Sequence, residues 1–366
     1  MKMKTAKKFI SMLLVTAMFA FTTACGAESS AAAESSKSGA EEKEVAGASR
    51  QESEADTLSD PNYSFKWIVN NTSEIITADI AIKTGAFEKA GINVEVVGIA
   101  GGGAASVQTV ASGEADFGWA AIPAYINGVA GGSKIKVIYG GPASAHANDP
   151  SNQILVAADS DIDSAEDLIN KTVAVGAKGA MWEYIVRIYL KNAGLDPDQL
   201  DMIIVPNAQH EQVLKSGQVD AVVDNTPFAD EFINNGTAKT LATYYDVVGE
   251  KEAGNGWGVI MNTDTLASRP AEAVTKLIQV LIDTDEWVEA NPDEAREVAR
   301  QILADREQNT DIADYWHPFH LVDHGLWTEE HVKFWINFME ENGTIDKGEI
   351  SPSDIYTNEY NPYYVK

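Results

Sequence analysis

Two glycine-rich turns stand directly before helix-like segments, where backbone amides can hold an anionic group. The first is Gly101-Gly102-Gly103-Ala104, and the second is Gly176-Ala177-Lys178-Gly179-Ala180. A helix N-terminus presents unpaired N–H groups and partial positive charge, so each turn suits a sulfonate, carboxylate or phosphate. Lys178 can add a charged contact. Tight turns that serve only packing are the competing interpretation for both segments.

Polar side chains follow two predicted strands and offer a ligand both hydrogen-bond donors and acidic acceptors. Asn71, Thr72 and Ser73 follow the first strand and can donate hydrogen bonds, while Asp224 and Asn225 follow a strand ending at Val223. Asp224, together with Glu74, can receive an amine or an aminopyrimidine. In so acidic a chain both acids can equally be solvated, so the charge of the ligand stays open at this point.

Aromatic side chains occur at positions where the walls of a small-molecule site are expected. Trp119 and Ala120 lie at the end of a short predicted strand, Trp182 lies in the first turn of a helix, and Trp257 opens a later strand. Small-molecule sites are mostly apolar, and flat ligands stack on such rings. Burial in the core is the competing role for each of these rings.

One stretch of the chain, Val94 to Pro123, brings several of these residues together. Val94–Ile99 is apolar and β-branched and predicts a buried strand; the glycine turn and a short helix follow, and Ala115–Trp119 predicts a second strand. In an α/β sheet the ends of strands that lead into helices form the crevice where ligands bind. The stretch therefore predicts two neighbouring walls of one site.

The same local pattern occurs a second time, about a hundred residues later. Ser112-Gly113-x-x-Asp116 and Ser216-Gly217-x-x-Asp220 each follow a strand, a glycine-rich turn and a helix. We therefore expect two lobes built on one plan and facing each other over a cleft. After Pro270 the periodicity is almost entirely helical, which predicts an α/β body with C-terminal helices.

The composition excludes some functions and agrees with export. The chain has 366 residues with 55 acidic against 27 basic side chains, a formal net charge of −28. This is the opposite of a nucleic-acid-binding profile. Residues 1–24 combine four lysines with an apolar run, Phe9 to Phe21, which predicts a signal peptide rather than a membrane span.

The sole cysteine stands at the end of this leader. Thr22-Thr23-Ala24-Cys25 resembles the processing box of bacterial lipoproteins, although such boxes usually have Leu or Val where Thr22 stands. We expect a lipid on Cys25 that anchors the chain to the outer face of the cell membrane. Residues 25–60 are rich in Ala, Ser and Glu and predict a disordered tether between the lipid and the folded body.

The order of several motifs resembles the periplasmic-type solute-binding proteins of ABC importers. Within them, it is most similar to the nitrate, sulfonate, taurine and thiamine-precursor-like group. The motifs run from Tyr63 to Gly343. They are Gly85-x-Phe87, Gly91-Ile92-Asn93-Val94, SGEADFGWAAIPAYI from Ser112, Asn192-Ala193-Gly194-Leu195-Asp196-Pro197 and Ser216-Gly217-Gln218-Val219-Asp220-Ala221.

This resemblance implies an α/β fold of the periplasmic-binding-protein-like type II, with two α/β lobes around a cleft and a helical C-terminal segment. It places the first part of lobe 1 at 61–152 and lobe 2 at 153–245, with a return to lobe 1 plus C-terminal helices at 246–366. It also implies a mechanism in which a ligand closes the lobes and the closed form docks on an ABC permease in the membrane. We expect a monomer without a cofactor.

Three other functions are weighed against this one. Gly101-x-Gly103-x-x-Ser106 is similar to a dinucleotide fingerprint, but its last position is Ser rather than Gly or Ala. His320 and His324 have a spacing that zinc can use, but Pro318 and Gly325 interrupt the segment. An enzyme of the same fold would need motifs that the chain lacks, since no Gly-x-Ser-x-Gly elbow or HExxH occurs.

The sequence therefore predicts a binding protein rather than an enzyme. The favoured ligand is a small organic anion of the sulfonate, taurine or nitrate kind. The alternative is a thiamine-precursor pyrimidine or another aromatic heterocycle, which an excess of acids over bases in the cleft would favour.

Overall fold

The computed structural model describes residues 60–70, 74–143, 152–249 and 256–365. The strands in chain order are β1 (Ser64–Val69), β2 (Asn93–Ile99), β3 (Phe117–Ala121), β4 (Ile135–Tyr139), β5 (Pro142–Ala143), β6 (Asn152–Ala157), β7 (Thr172–Val175), β8 (Asp201–Ile204), β9 (Ala221–Asn225), β10 (Ala238–Thr243), β11 (Trp257–Asn262) and β12 (His320–Leu321). The signal peptide, the tether, Cys25 and the candidates Asn71, Thr72 and Ser73 lie outside the described residues.

The helices alternate with these strands and then dominate the C-terminal third. In chain order they are α1 (Thr77–Lys83), α2 (Ala86–Lys89), α3 (Gly103–Ala111), α4 (Ile122–Ala130), α5 (Met181–Asn192), α6 (His210–Lys215), α7 (Phe228–Asn234), α8 (Tyr244–Val248), α9 (Thr263–Ser268), α10 (Ala271–Ala290), α11 (Pro292–Asp305), α12 (Glu329–Glu341) and α13 (Pro352–Ile355). Within the described residues, no helix is long and apolar enough to cross a membrane.

Two five-stranded sheets form the cores of two lobes. The first sheet has the order β2-β1-β3-β11-β4, and the second has the order β8-β7-β9-β6-β10. In the first sheet β1 is parallel to β2 and β3, while β11 is antiparallel to β3 and β4. In the second, β7 is parallel to β8 and β9, while β6 is antiparallel to β9 and β10. The two sheets therefore repeat one plan strand for strand.

The chain exchanges one strand between the lobes in each direction. The chain passes to the second sheet between β4 and β6, and it returns to the first sheet between β10 and β11. In each sheet, the strand that enters directly after the crossing, β6 or β11, runs antiparallel to its two neighbours. This arrangement confirms the predicted type II fold with two α/β lobes around a cleft. The exact lobe boundaries stay predictions.

The first helical segment differs from the sequence prediction. The sequence predicts one helix over Ile75–Phe87 with Ser73 as a candidate N-cap, but α1 begins at Thr77 and a separate α2 begins at Ala86. The Asp79 carboxylate accepts the Ile76 N–H at 3.2 Å, which provides the cap from inside the helix. The break falls at Gly85, whose φ of +70° is left-handed and ends α1.

The C-terminal helices complete the first lobe, as their periodicity predicts. The apolar face of α10 is buried, and a separate core cluster joins Ile75 and Ile80 to Val288 of α10 and to Leu303 of α11. This packing places the C-terminal helices directly behind the segment that follows β1. It is the contact on which the candidate site depends.

Candidate functional site

A small cavity lies where the ends of β3 and β11 meet the segment before α1 and the helix α10. Its volume is about 30 Å³. Its described lining combines two carboxylates, four large aromatic rings and aliphatic side chains: Glu74, Ile75, Ile76, Thr77, Ile80, Trp119, Pro142, Trp257, Asp285, Val288, Trp316, Pro318 and Phe319. We call it the acid-lined cavity.

Strand pairing explains why two of the tryptophans share this cavity. Trp119 of β3 lies opposite Val259, and Trp257 of β11 lies opposite Ala121. Because directly opposed residues point to the same face and side chains alternate along a strand, both indoles project from one face of the sheet. Each is almost fully buried, yet neither indole nitrogen has a hydrogen-bond partner among the described residues. The cavity wall thus contains two unused N–H donors.

Glu74 is the first of the two carboxylates. The Asn70 side-chain amide donates to it, and burial raises its pKa from 4.5 to about 7 although Arg306 nearby opposes the shift. Arg306 is itself engaged, since it donates to the Glu74 carbonyl at 2.8 Å and pairs with Asp79 at 2.6 Å. Glu74 therefore holds a proton more readily than an exposed carboxylate does.

Asp285 of α10 is the second carboxylate, and it is only 4% exposed. Its two oxygens accept hydrogen bonds from the Thr77 hydroxyl at 2.5 Å and from the Tyr139 hydroxyl. Burial raises its pKa from 3.8 to about 7, although both hydrogen bonds oppose the shift. A ligand group that donates hydrogen bonds or carries positive charge would stabilise the ionised form of both acids.

The electrostatics of the cavity are unfavourable for an anion. No lysine or arginine belongs to its described lining. Burying an anionic ligand beside these two acids costs free energy, whereas a ligand group that donates hydrogen bonds can bind to their oxygens. The two unused indole N–H groups can donate to acceptor atoms such as ring nitrogens. The chemistry of the lining therefore suits a group that both donates and accepts hydrogen bonds better than it suits an anion.

The first glycine turn lies beside this cavity but does not line it. Gly102 caps α3 with a φ of +121°, Ala104 is exposed, and a Cβ on Gly103 would lie 3.4 Å from Ala124. Ala120 is fully buried in β3. Gly102, Gly103 and Ala104 thus keep an open helix N-terminus, and their role in binding stays a prediction.

The second glycine turn is already occupied by an acid of its own helix. Gly179 donates its N–H to the Glu183 carboxylate at 2.7 Å, Ala180 caps α5, and Lys178 is exposed. Glu183 also pairs with Arg187 at 3.1 Å. The position that an anionic ligand would take is therefore held by a side chain. Trp182 in the same turn reaches the first lobe, with its ring 5.7 Å from that of Trp257.

Asp224 at the end of β9 is buried and fully engaged within the second lobe. It accepts hydrogen bonds from the Asn207 amide at 2.6 Å and lies 2.7 Å from His210 Nδ1. The other ring nitrogen of His210 lies 2.8 Å from the Val205 carbonyl oxygen. Asn225, the next residue, is partly buried. Neither Asp224 nor Asn225 lines the acid-lined cavity.

Sequence reasoning missed Asp285, Thr77, Tyr139, Trp316 and Phe319 as parts of the site. Asp285 carried a usable signal, because it interrupts the apolar face of α10 between Leu281 and Val288. A carboxylate at such a position is buried and needs partners. Its partner Thr77 lies 208 residues away in the chain, so spacing alone could not connect the two.

The histidine cluster weighed as a metal site is divided among separate acids. His317 faces Asp230, His320 faces Glu289 and His324 faces Glu286 at 3.4, 3.9 and 3.4 Å. Within the described ranges, no group of three or more His, Cys, Asp or Glu side chains could hold a metal ion.

The two sheets define the two-lobed periplasmic-binding-protein fold, and comparison with known proteins specifies the family. The NMT1/THI5-like family model matches residues 73–295, more than half of the chain. The chain belongs to this family. A search of curated protein sequences finds no match.

Three solved structures with the same fold are named as binding proteins for small solutes. The alkanesulfonate-binding protein SsuA from Xanthomonas axonopodis pv. citri bound to MOPS has a TM-score of 0.65 at 15% identity, covering 81% of this chain and 98% of its own. The Escherichia coli aliphatic sulphonate binding protein SsuA has a TM-score of 0.64 at 17% identity, with coverages of 81% and 98%. The nitrate-binding protein NrtA from Synechocystis PCC 6803 has a TM-score of 0.60 at 15% identity, covering 81% of this chain and 87% of its own.

Proposed function

We propose that this chain is the extracytoplasmic solute-binding subunit of an ABC importer. It captures a small organic solute between its lobes and delivers it to a membrane permease. The observation that carries this proposal is the acid-lined cavity of the first lobe, which includes Trp257, the residue whose ring lies 5.7 Å from that of Trp182 in the second lobe. The sulfonate- and nitrate-binding proteins that share the fold support a role in solute capture. We propose binding without covalent chemistry.

For the ligand, we propose the heterocyclic class rather than the small organic anion that the sequence favours. The cavity offers two carboxylate acceptors and two unpartnered indole donors, Trp119 and Trp257, with no base in its described lining. A flat heterocycle with an amino group, such as a thiamine-precursor pyrimidine, matches this pattern with donors for the acids and ring nitrogens for the indoles. An alkylsulfonate offers only acceptors.

The position and assembly of the protein follow from the same proposal. Export by the leader and a lipid on Cys25 would hold the body at the outer face of the membrane, with residues 25–60 as the tether. A monomer with lobes at 61–152, 153–245 and 246–366 is sufficient, because one chain contains both walls of the cleft. The permease and its cytoplasmic ATPase are the expected partners.

The test measures the thermal midpoint and the calorimetric affinity of the full chain against two ligand classes. 4-Amino-2-methylpyrimidine represents the heterocycles, and methanesulfonate, taurine and nitrate represent the anions. We expect the pyrimidine to raise the midpoint by several degrees at large excess, since it binds only the folded state. The anions should leave the midpoint unchanged.

Matched variants locate the binding site. Glu74→Gln and Asp285→Asn should each weaken pyrimidine binding at least tenfold, because each replaces an ionisable acceptor of the cavity. Asp283→Asn changes an exposed acid two residues earlier in the same helix and should leave the affinity unchanged. A midpoint that rises with sulfonate alone, or variants that bind pyrimidine as the native chain does, would contradict the proposed ligand.

A further inference from the structure

Residues 311–319 lie between the acid-lined cavity and the second lobe; we call them the bridging segment. Trp316, Pro318 and Phe319 line the cavity. The residues between and before them contact α7 and the turn that precedes it, which belong to the second lobe. One short segment therefore touches both the ligand space and the opposite lobe.

Three contacts join the bridging segment to the second lobe. The Thr226 hydroxyl donates to the Tyr315 carbonyl at 3.1 Å. The Asp230 carboxylate lies 3.4 Å from His317 Nε2, with both side chains only partly exposed. Phe228 packs against two clusters at once, one containing Trp316 and the other belonging to the second lobe.

The bridging segment is also fastened to the first lobe, through α11. Arg296 donates to the Trp316 carbonyl at 3.2 Å. Arg300 donates to the Thr310 carbonyl at 2.9 Å and pairs with Asp314 at 2.6 Å. These contacts lie on the first-lobe side and do not depend on the second lobe, so the segment stays attached to α11 when the lobes separate.

We propose that the bridging segment is a closure latch, in which Thr226, Phe228 and Asp230 are positioning residues for ligand capture. In the closed form, their contacts with Tyr315 and His317 add to those of α11 and restrain the segment that supplies Trp316 and Phe319 to the cavity wall. None of the three lines the cavity. They therefore act on the ligand only through the closed state, whose population sets the apparent affinity. The inference rests on the proposed function in taking the cavity as the ligand site.

The latch can be tested first without any ligand, by hydrogen–deuterium exchange on the full chain. The variants are Asp230→Asn, Thr226→Val and the two combined. Loss of these contacts should speed amide exchange in two separate places, the bridging segment and Phe228–Asn234, because both become exposed when the lobes part. Asp264→Asn is the matched control, since it removes an exposed first-lobe pair with Lys134 that contacts neither the bridging segment nor the second lobe.

A binding arm follows with 4-amino-2-methylpyrimidine as the probe. The double variant should bind it about fivefold more weakly or worse and release it faster, while Asp264→Asn binds as the native chain does. If the double variant fails to fold by circular dichroism, Asp230→Asn alone provides the test, because it keeps the shape of the side chain. Exchange that is unchanged in both places, or altered equally by the control, overturns the latch.

The two arms separate this inference from the proposed function. If the native chain binds no pyrimidine, the ligand class is wrong, but faster exchange in the latch variants still supports the closure contact. If pyrimidine binds with equal affinity to the native chain and to a double variant whose exchange is faster, the segment does not act on capture and the latch is overturned.

Discussion

Asp116 and Asp220 occupy equivalent positions in the two lobes and make the same bonds. The Asp116 carboxylate accepts the Lys66 N–H at 2.8 Å, and its own N–H donates to the Lys66 carbonyl at 2.9 Å. Asp220 does the same with Thr172, at 2.9 and 2.8 Å. Each also faces one cation at 3.4 Å, Arg269 for Asp116 and Lys171 for Asp220. In each lobe, the aspartate of the repeated Ser-Gly-x-x-Asp pattern therefore joins the beginnings of two parallel strands by a pair of hydrogen bonds.

Replacing either aspartate should weaken its lobe, and Asp116 more than Asp220. Alanine leaves a strand N–H without its acceptor, which costs about 1–3 kcal/mol when the group is buried. The Asp116 side chain is 15% exposed against 36% for Asp220 and also accepts the Thr265 hydroxyl at 3.3 Å, so its replacement removes more contacts. Urea unfolding of Asp116→Ala and Asp220→Ala measures both costs. Equal losses would show that exposure does not decide the difference.

The two cavity acids should make the folded state more stable in mild acid than in base. Their pKa values are raised to about 7 from 4.5 for Glu74 and 3.8 for Asp285, so the folded chain binds more protons than the unfolded chain between those values. This contribution is complete below about pH 4 and is lost as the pH rises through about 7. It is on the order of 3 kcal/mol for each acid.

Denaturant unfolding between pH 4 and pH 8 measures this dependence. Because other acids of the chain also titrate, the informative quantity is the difference in pH slope between the native chain and Glu74→Gln or Asp285→Asn. Each variant should reduce the loss of unfolding free energy toward pH 8, while Asp283→Asn should not. Parallel curves for the native chain and both cavity variants would contradict the raised pKa values.

His210 should be essential for the stability of the second lobe. Its ring is fully buried between the Asp224 carboxylate and the Val205 carbonyl, two acceptors. His210→Ala leaves Asp224 buried without this partner. Breaking a buried pair in this way typically costs about 3–5 kcal/mol, which is a large part of the total free energy of unfolding of many domains. Thermal unfolding measures it. His210→Ala combined with Asp224→Asn should recover part of the loss, since no charge is then left buried.

Gly176 should be intolerant of any side chain, for a reason that involves the same cluster. A Cβ at this position would lie 2.3 Å from the Asn207 side-chain oxygen. Gly176→Ala must therefore displace Asn207 and break its 2.6 Å bond to Asp224, with an expected cost of about 1–3 kcal/mol. Gly101→Ala is the control, because nothing lies within 4 Å of its Cβ position. Equal unfolding midpoints would contradict the close approach.

Much of the fold could be predicted because its signals are local. Strand and helix periods, glycine turns and the repeated Ser-Gly-x-x-Asp pattern act over a few residues, and the second sheet repeats the first as that pattern predicts. Trp119 and Trp257, expected as wall residues, both line the acid-lined cavity, and their role in binding stays a prediction. The boundary at α1 could not be predicted, because its cap comes from Asp79 inside the helix.

The sequence by itself determined two repeated α/β lobes, C-terminal helices and aromatic residues at the strand ends, since backbone pairing and periodic burial depend on near neighbours. Only the tertiary structure shows which side chains come together at the candidate site. Packing of α10 against α1 brings Asp285 to Thr77 across 208 residues, and Glu183 takes the N–H of Gly179 that an anion would need. Partners in a folded chain depend on distance in space, and for these groups that distance is not encoded in their spacing along the chain.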